Sequence, residues 1–300
     1  MKTAVLLMAY GSPRNSGEIE PYFTDIRGGR PPSAEALQKL NDRYAAVGGN
    51  SGLNQITERQ AAALAQHLGP SFAVFIGMKH WHPFIRDAVD RIIDEGFEEI
   101  VGLVLAPHFS SKSIGEYETR IQTALGAHEV RLTMVKSWYD EPAFVDLIAA
   151  NLREAVEGAG AGGDEARVFF TAHSIPARIV EGGDPYREQL ADSAKLYAEA
   201  ANIGDYEIAW QSASATGEPW IGPDIVDSLE LFGASGGKRA VIAPVGFVSD
   251  HLEILYDIDL EAKQGAEAIG IELRRIRSPN DDPRFIAALG NIVMRYAHIS

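Results

Sequence analysis

Three carboxylates at a constant step of four stand in the last fifth of the chain: Glu253, Asp257 and Glu261, within Pro244-Val-Gly-Phe-Val-Ser-Asp250-His251-Leu-Glu253-Ile-Leu-Tyr-Asp257-Ile-Asp-Leu-Glu261. A helix starting after Ser249-Asp250 puts them at i, i+4 and i+8, on one face over roughly 12 Å of axis. Like charges at that spacing oppose a helix by roughly a few tenths of a kcal/mol per pair. Two explanations stand open: a solvated acidic face eased by the helix dipole, or a row that binds cations and passes protons. The segment Thr171-Ala-His173-Ser174-Ile-Pro176 places a histidine where an apolar run breaks into a loop. That imidazole is either a satisfied core group or, with a carboxylate from another strand end, a donor for a first-row divalent metal and a proton acceptor.

A third constellation is basic. Arg27 and Arg30 lie in Asp25-Ile-Arg27-Gly-Gly-Arg30-Pro31-Pro32, followed by Asp42-Arg43-Tyr44 and Gly48-Gly49-Asn-Ser51-Gly52. Guanidinium forks near glycine turns pair bidentately with the carboxylates of an anionic ligand; salt bridges to Asp25 and Asp42 are the alternative. No G-x-G-x-x-G or G-K-[ST] follows a strand, so nucleotide binding is not indicated. The run Lys79-His80-Trp81-His82 is either a metal entry site or merely exposed, and exposure is expected, since histidines at i and i+2 share no helix face.

The elements that must position these groups are legible as short apolar runs at 4–8, 72–76, 100–105, 131–135, 168–171, 206–210, 240–243 and 271–275. They alternate with stretches of helical period such as 56–68, 83–95 and 142–157, the pattern of parallel sheets covered by helices. The expected class is α/β, with two Rossmann-like domains: 1–157, a Gly/Ala linker at 158–164, and 165–300, the final helix packing back on the first. Two echoes suggest an internal duplication: Ala9-Tyr10-Gly-Ser-Pro13 against Ala172-His173-Ser-Ile-Pro176, and Leu105-Ala-Pro-His against Ile242-Ala-Pro-Val. Ligands of such sheets sit outside the carboxyl ends of strands, so Tyr10, His108, His173 and the residues after Pro244 are expected to face one interdomain cleft.

Composition sets the outer limits. The 300 residues carry 27 Lys+Arg against 42 Asp+Glu, a formal charge of -15 that disfavours a broad nucleic-acid or membrane footprint. With Cys 0, disulfides, thiolate zinc, a cysteine nucleophile and a cysteine-held iron–sulfur cluster are excluded. The apolar start is too short for a signal peptide core and is stopped by Gly11-Ser12-Pro13, and no window reaches the roughly 18 apolar residues of a membrane span. A soluble, cytoplasmic protein is expected.

Taken together, Met8-Ala-Tyr10-Gly-Ser-Pro13, Leu105-Ala-Pro-His-Phe-Ser110, Ala172-His173-Ser174-Ile-Pro176, Trp220-Ile-Gly-Pro-Asp224 and the segment from Pro244 to Glu253 resemble the ferrochelatases nearly end to end. The Tyr-Gly-Ser-Pro start is most similar to the coproporphyrin III branch of monoderm-type bacteria. The resemblance implies insertion of ferrous iron into a porphyrin held in an interdomain cleft. It implies that His173 and Glu253 handle iron and accept pyrrole protons on one face of the ring, with Asp257 and Glu261 as the conduit leading away. Tyr10 matches a tyrosine that ligates iron from the opposite face, and Arg27, Arg43, Tyr44, Ser51 and Tyr117, with Tyr10, match residues that position the porphyrin. Ser212-Ala-Ser-Ala-Thr-Gly217 is a loose version of the family's loop, and no role is given to it.

Insertion of a divalent ion removes two N–H protons and needs a puckered ring, hence a base and a metal donor together in a shaped cleft. Iron is then a substrate and no tightly bound cofactor is implied. The partners implied are the porphyrin, ferrous iron and neighbouring haem-pathway enzymes, with no nucleic acid and no membrane insertion, and a monomer is expected. The competing readings are a protoporphyrin IX ferrochelatase, a sirohydrochlorin chelatase, which is normally built around several histidines, and a non-enzymatic haem or porphyrin carrier.

Overall fold

A computed structural model describes residues 3–159, 166–214 and 216–297. The eight expected strands are all present: β1 Thr3–Ala9, β2 Phe72–Met78, β3 Glu99–Val104, β4 Arg131–Met134, β5 Arg167–His173, β6 Tyr206–Gln211, β7 Arg239–Ala243 and β8 Glu272–Arg275. They form two parallel sheets of identical pattern, β2-β1-β3-β4 and β6-β5-β7-β8, flanked by helices. The class is α/β. Among the described residues no helix is long and apolar enough to cross a membrane.

The chain divides into two compact units, Met1–Trp138 with Ser249–Leu252 and Asn280–Ser300, and Tyr139–Val248 with Glu253–Pro279. In the first, every residue of β1 is buried, as expected of a central parallel strand covered on both faces. One face packs Ala4, Leu6 and Met8 against Ile85, Val89 and Ile92 of the helix Ile85–Asp94, whose apolar residues recur at the helical period. The helices Leu53–Leu68 and Pro283–Tyr296 pack on one another and on this sheet.

In the second unit, Phe169, Ala209, Ala240 and Ile242 from three strands meet Ile225 and Leu229 of the helix Ile225–Ala234 and Ile254, Ile258 and Ala262 of the segment Ile254–Ala262. The helix Pro142–Ala159 belongs to this unit, although the sequence reading ends the first domain at 157. Its buried stripe, including Phe144, Leu147 and Ile148, packs on the helix Tyr186–Ala201, where Phe144 meets Tyr197 edge-on at 6.0 Å. An apolar face of that length must be covered by a neighbouring helix, and the neighbour lies in the second unit. The Gly/Ala stretch read as a linker falls, from residue 160 to 164, outside the described residues.

Candidate active site

The second unit brings His173 and Glu253 together. His173 is the last residue of β5, where the strand ends at the sheet's carboxyl edge. Glu253 arrives from the loop after β7, which can lie flat on β5 because Gly246 is there: a Cβ at that position would stand 2.6 Å from the Cβ of Ala172. Its amide also donates to Thr171 O at 3.2 Å, tying the loop to the strand two residues before the histidine. The result is a His173 Nδ1–H donating to Glu253 Oε2 over 3.1 Å, with side chains 34% and 32% exposed. Burial pulls the imidazole pKa down, but the charge of Glu253 and its hydrogen bond outweigh that and hold it above the ordinary histidine value. Tyr186 donates its hydroxyl to His173 O at 3.1 Å, and the Trp220 ring stands edge-on to the imidazole at 6.1 Å.

The carboxylate row sits on a wider spiral than the sequence reading expects. Residues Ile254–Ala262 form a π-helix with Glu253 at its start. At about 4.4 residues per turn, a four-residue step falls short of a full turn by roughly 30°, so the carboxylates still follow one another along one side. Ile254, Ile258 and Ala262 follow the same step and face the core. Exposure along the row is uneven: Glu253 is part-buried, Asp257 is buried and Glu261 is exposed. Asp257 is therefore not part of a solvated face; its carboxylate accepts a hydrogen bond from Ser212 Oγ. Arg275 of β8 grips Asp259 at 2.7 and 2.9 Å and so fixes the π-helix to the edge strand.

In the first unit Tyr10 follows β1 and is 43% exposed. Its ring lies 4.6 Å from that of His80, and the Lys79 ammonium lies 5.8 Å from the Tyr10 ring and 5.4 Å from the ring of buried Tyr117. Lys79, His80 and Trp81 are buried, contrary to the exposure expected of this run; His82 alone is exposed. The cause is backbone pairing, because Lys79 N and His80 N donate to Ala9 O and Tyr10 O, carrying the β1–β2 ladder past the strand ends. Gly11 accommodates the same run, since a Cβ there would stand 2.9 Å from Trp81 Cβ at a left-handed φ of +86°. Burial lowers the His80 pKa to about 4 against the opposing hydrogen bond to Asp25, so neutral His80 donates Nδ1–H to Asp25 Oδ2 at 2.8 Å. Lys79 is ion-paired to Glu116 at 2.6 Å, yet burial still holds its pKa below the usual lysine value.

Salt bridges of the arginines to Asp25 and Asp42 are not what the fold uses: Asp25 holds His80, and Asp42 accepts from Gln38 Nε2 at 2.7 Å. Arg27 caps the helix Ile19–Ile26 and is exposed, its guanidinium 5.8 Å from the Phe23 ring, while Arg43 is part-buried. Tyr44 and Ser51 are buried and share one partner, Ser12 Oγ, at 3.0 and 2.9 Å. They brace the loop after Tyr10. His108, expected at a cleft, is buried, and burial lowers its pKa to about 3. The sequence reading gave no role to Ser212 or Ser12; Ser212 directly follows β6, so the strand-end rule applied there would have singled it out.

Among the described residues no group of three or more His, Cys, Asp or Glu side chains forms a metal cage. An imidazole and a carboxylate are donor types that suit a first-row divalent metal, and either can take a proton. The chain matches the family model described as Ferrochelatase over residues 2–297. It is 46% identical over 302 residues to the coproporphyrin III ferrochelatase of Bacillus pumilus, covering 98% of this chain and 97% of that one. The coproporphyrin III ferrochelatase of Bacillus subtilis is 45% identical over 302 residues with the same coverage, and a ferrochelatase of Herpetosiphon aurantiacus 44% identical over 299 residues, 97% and 98% of the two chains. Among solved structures, SirB from Bacillus subtilis with Fe3+ aligns with a TM-score of 0.63 at 15% identity over 99% of this chain and 96% of that one. CbiX, described as the terminal enzyme for biosynthesis of siroheme in denitrifying bacteria, aligns at 0.56 and 15% over 100% of both. At that identity the likeness is one of fold.

Proposed function

The chain belongs to the ferrochelatase family, and on that premise we propose that it inserts ferrous iron into coproporphyrin III, giving coprohaem, in haem biosynthesis. The substrate choice is supported by relatives of that name at 45–46% identity over nearly the whole chain. The observation that carries the chemistry is the 3.1 Å pairing of His173 Nδ1 with Glu253 Oε2 at a sheet's carboxyl edge. As each pyrrole N–H bond breaks, its electron pair stays on nitrogen to form the N–Fe bond, and the proton passes to the His173–Glu253 pair. Iron stays ferrous, so no electron carrier is needed. Asp257 and Glu261 extend the route outward from Glu253, and Tyr10 offers a phenol oxygen as a further iron donor. Arg27 and Arg43 supply cations for propionates, while Tyr44, Ser51 and Tyr117 act from beneath as supports. A cytoplasmic monomer without a tightly bound cofactor, and with no nucleic-acid or membrane partner, completes the proposal. The absence of cysteine supports the part of it that leaves out an iron–sulfur cluster.

Anaerobic iron insertion, followed as loss of free-base porphyrin fluorescence with coproporphyrin III, protoporphyrin IX and sirohydrochlorin in parallel, tests it. The expected order puts coproporphyrin III first. Faster metallation of protoporphyrin IX overturns the choice of porphyrin, sole use of sirohydrochlorin overturns the porphyrin substrate altogether, and tight binding without insertion makes the protein a carrier.

A further inference from the structure

The chain returns to the first unit twice in its last quarter, at Ser249–Leu252 and again from Asn280. One side chain meets both returns. Gln60, on the helix Leu53–Leu68, is fully buried, and its Nε2 donates to Ser249 Oγ at 2.9 Å and to Asn280 O at 2.7 Å, partners 189 and 220 residues away in sequence. The carbonyl acceptor fixes the orientation of the amide, because a flipped amide would set two oxygens against each other. That orientation leaves Gln60 Oε1 buried without a hydrogen-bond partner among the described residues, a cost that a methionine of the same length would not carry. Asn280 completes the triangle: its Oδ1 accepts from Asp250 N and its Nδ2 donates to Asp250 Oδ2, both at 2.8 Å. It does so from a left-handed φ of +45°, a region that asparagine enters more readily than most residues.

Only His251 and Leu252 separate this junction from Glu253, and the first of them is held as well, since His251 donates Nδ1–H to Ser249 O at 3.0 Å. We propose that Gln60 is a positioning residue for the reaction: by tying residues 249–250 to its helix and to Asn280, it fixes the backbone from which Glu253 reaches His173. The proposal rests on the iron-insertion reading above. A displacement of about 1 Å at a reacting group lowers a rate on the order of a hundredfold, so loosening the backbone three residues upstream acts on turnover and not on binding of the ring.

The test compares Gln60→Met, which keeps the length and loses both donors, with Asn280→Gly, which keeps the left-handed backbone and loses both bonds to Asp250. Arg59→Met is the control: it breaks the solvent-accessible pair of Arg59 with Asp281 at 2.7 Å, which ties the same helix to the second return only. Measured for each are kcat, KM for coproporphyrin III and for ferrous iron, and melting temperature, and Gln60→Met is repeated in the Glu253→Gln background. Gln60→Met and Asn280→Gly are each expected to lower kcat about tenfold with the porphyrin KM within about twofold of wild type, and the pair together to fall less than about twofold below the slower single variant, because they break one unit. In the Glu253→Gln background, Gln60→Met is expected to change the residual rate by less than about twofold, since it acts through Glu253. Arg59→Met is expected to keep kcat within about twofold of wild type, as suits an exposed pair. Wild-type kcat in Gln60→Met, or an undiminished further loss in the Glu253→Gln background, overturns the proposal, as does a fall of kcat in all three variants that follows their melting temperatures. Should Gln60→Met not fold, Asn280→Gly and Ser249→Ala decide, and wild-type kcat in both overturns it. Each of these outcomes leaves the chelatase reading intact, whereas absence of insertion by the wild type overturns the reading, and the proposal with it.

Discussion

Tyr10 and His173 occupy the same place in two copies of one strand pattern. Ala9 lies opposite Met78 in the β1–β2 ladder and Ala172 opposite Trp210 in the β5–β6 ladder. Met78 N donates to Pro83 O and Trp210 N to Pro223 O, the same closure of the loop that leads into the following helix. The other edge agrees, since Val135 N donates to Gly102 O and Ile276 N to Ile242 O at matching rungs. Tyr10 and His173 each come one residue after these matched alanines, so a single fold position presents a phenol in one unit and an imidazole in the other. Both are groups that bind metals and exchange protons.

His173→Ala is expected to abolish metal insertion while leaving coproporphyrin III affinity within about tenfold, because the imidazole acts on protons and iron and not on propionates. Fluorescence titration and an anaerobic insertion assay on the same preparation measure the two separately. Wild-type-like turnover would remove His173 from the mechanism.

Glu253→Gln keeps the shape of the side chain and its place beside His173 but removes the base, so turnover is expected to drop at least about a hundredfold. The Asp257→Ala/Glu261→Ala variant acts one step further out and is expected to show a smaller loss with a raised apparent KM for ferrous iron. Unchanged kinetics with a higher melting temperature in that variant would reduce the row to like charges repelling on a helix.

Much of the fold was legible because a two-sided parallel strand must be apolar throughout: the β1 run 4–8 and the seven others stand out by composition alone. The pairing of His173 with Glu253 followed from the strand-end rule together with the family resemblance. Other features turn on interactions that no local pattern encodes. The burial of Lys79 and His80 depends on backbone bonds to Ala9 and Tyr10, some 70 residues away in sequence. The π-helix shares its apolar four-residue step with an α-helix, and only the hydrogen-bond ladder separates them. The first sequence echo, Ala9-Tyr10 with Ala172-His173, agrees with the register. The second does not, since the ladders pair Leu103 with Leu7 and Ala243 with Phe170, which matches Leu103 to Ala243 and leaves Ala106-Pro107 three residues out of step with Ala243-Pro244.

Stability is expected to fall on mild acidification, and the buried histidines give the sign. His108 and His80 have folded-state pKa values of about 3 and about 4, below the ordinary 6.5, so the unfolded chain binds more protons as pH drops below about 6.5. Each such group removes stability at a rate on the order of 1.4 kcal/mol per pH unit across the window between its two pKa values. His173 has the opposite sign: its raised pKa adds stability below about 6.5 that is lost as pH rises through the folded value. Urea unfolding between pH 7 and 5 is expected to show a shallower acid loss in His108→Gln than in wild type and a steeper one in His173→Ala. Parallel curves for wild type and His108→Gln would mean that His108 titrates in the fold as it does in the unfolded chain.

Substrate choice turns on the number of charged contacts. Coproporphyrin III carries four propionates and protoporphyrin IX two, and each charge-assisted hydrogen bond contributes roughly 1.5–3 kcal/mol. Arg27 is the clearer donor, exposed at the end of the helix Ile19–Ile26 with its guanidinium 5.8 Å from the Phe23 ring, whereas Arg43 is part-buried on the helix Ala34–Ala46. Asp25, two residues before Arg27 in the chain, is hydrogen-bonded to His80 at 2.8 Å. Arg27→Leu and Arg43→Leu are each expected to weaken coproporphyrin III binding more than protoporphyrin IX binding, Arg27 by the larger factor. The difference should widen at low ionic strength, where an exposed charge reaches further. Equal losses for the two porphyrins at every salt concentration would show that the arginines support the fold of this segment and do not read propionates.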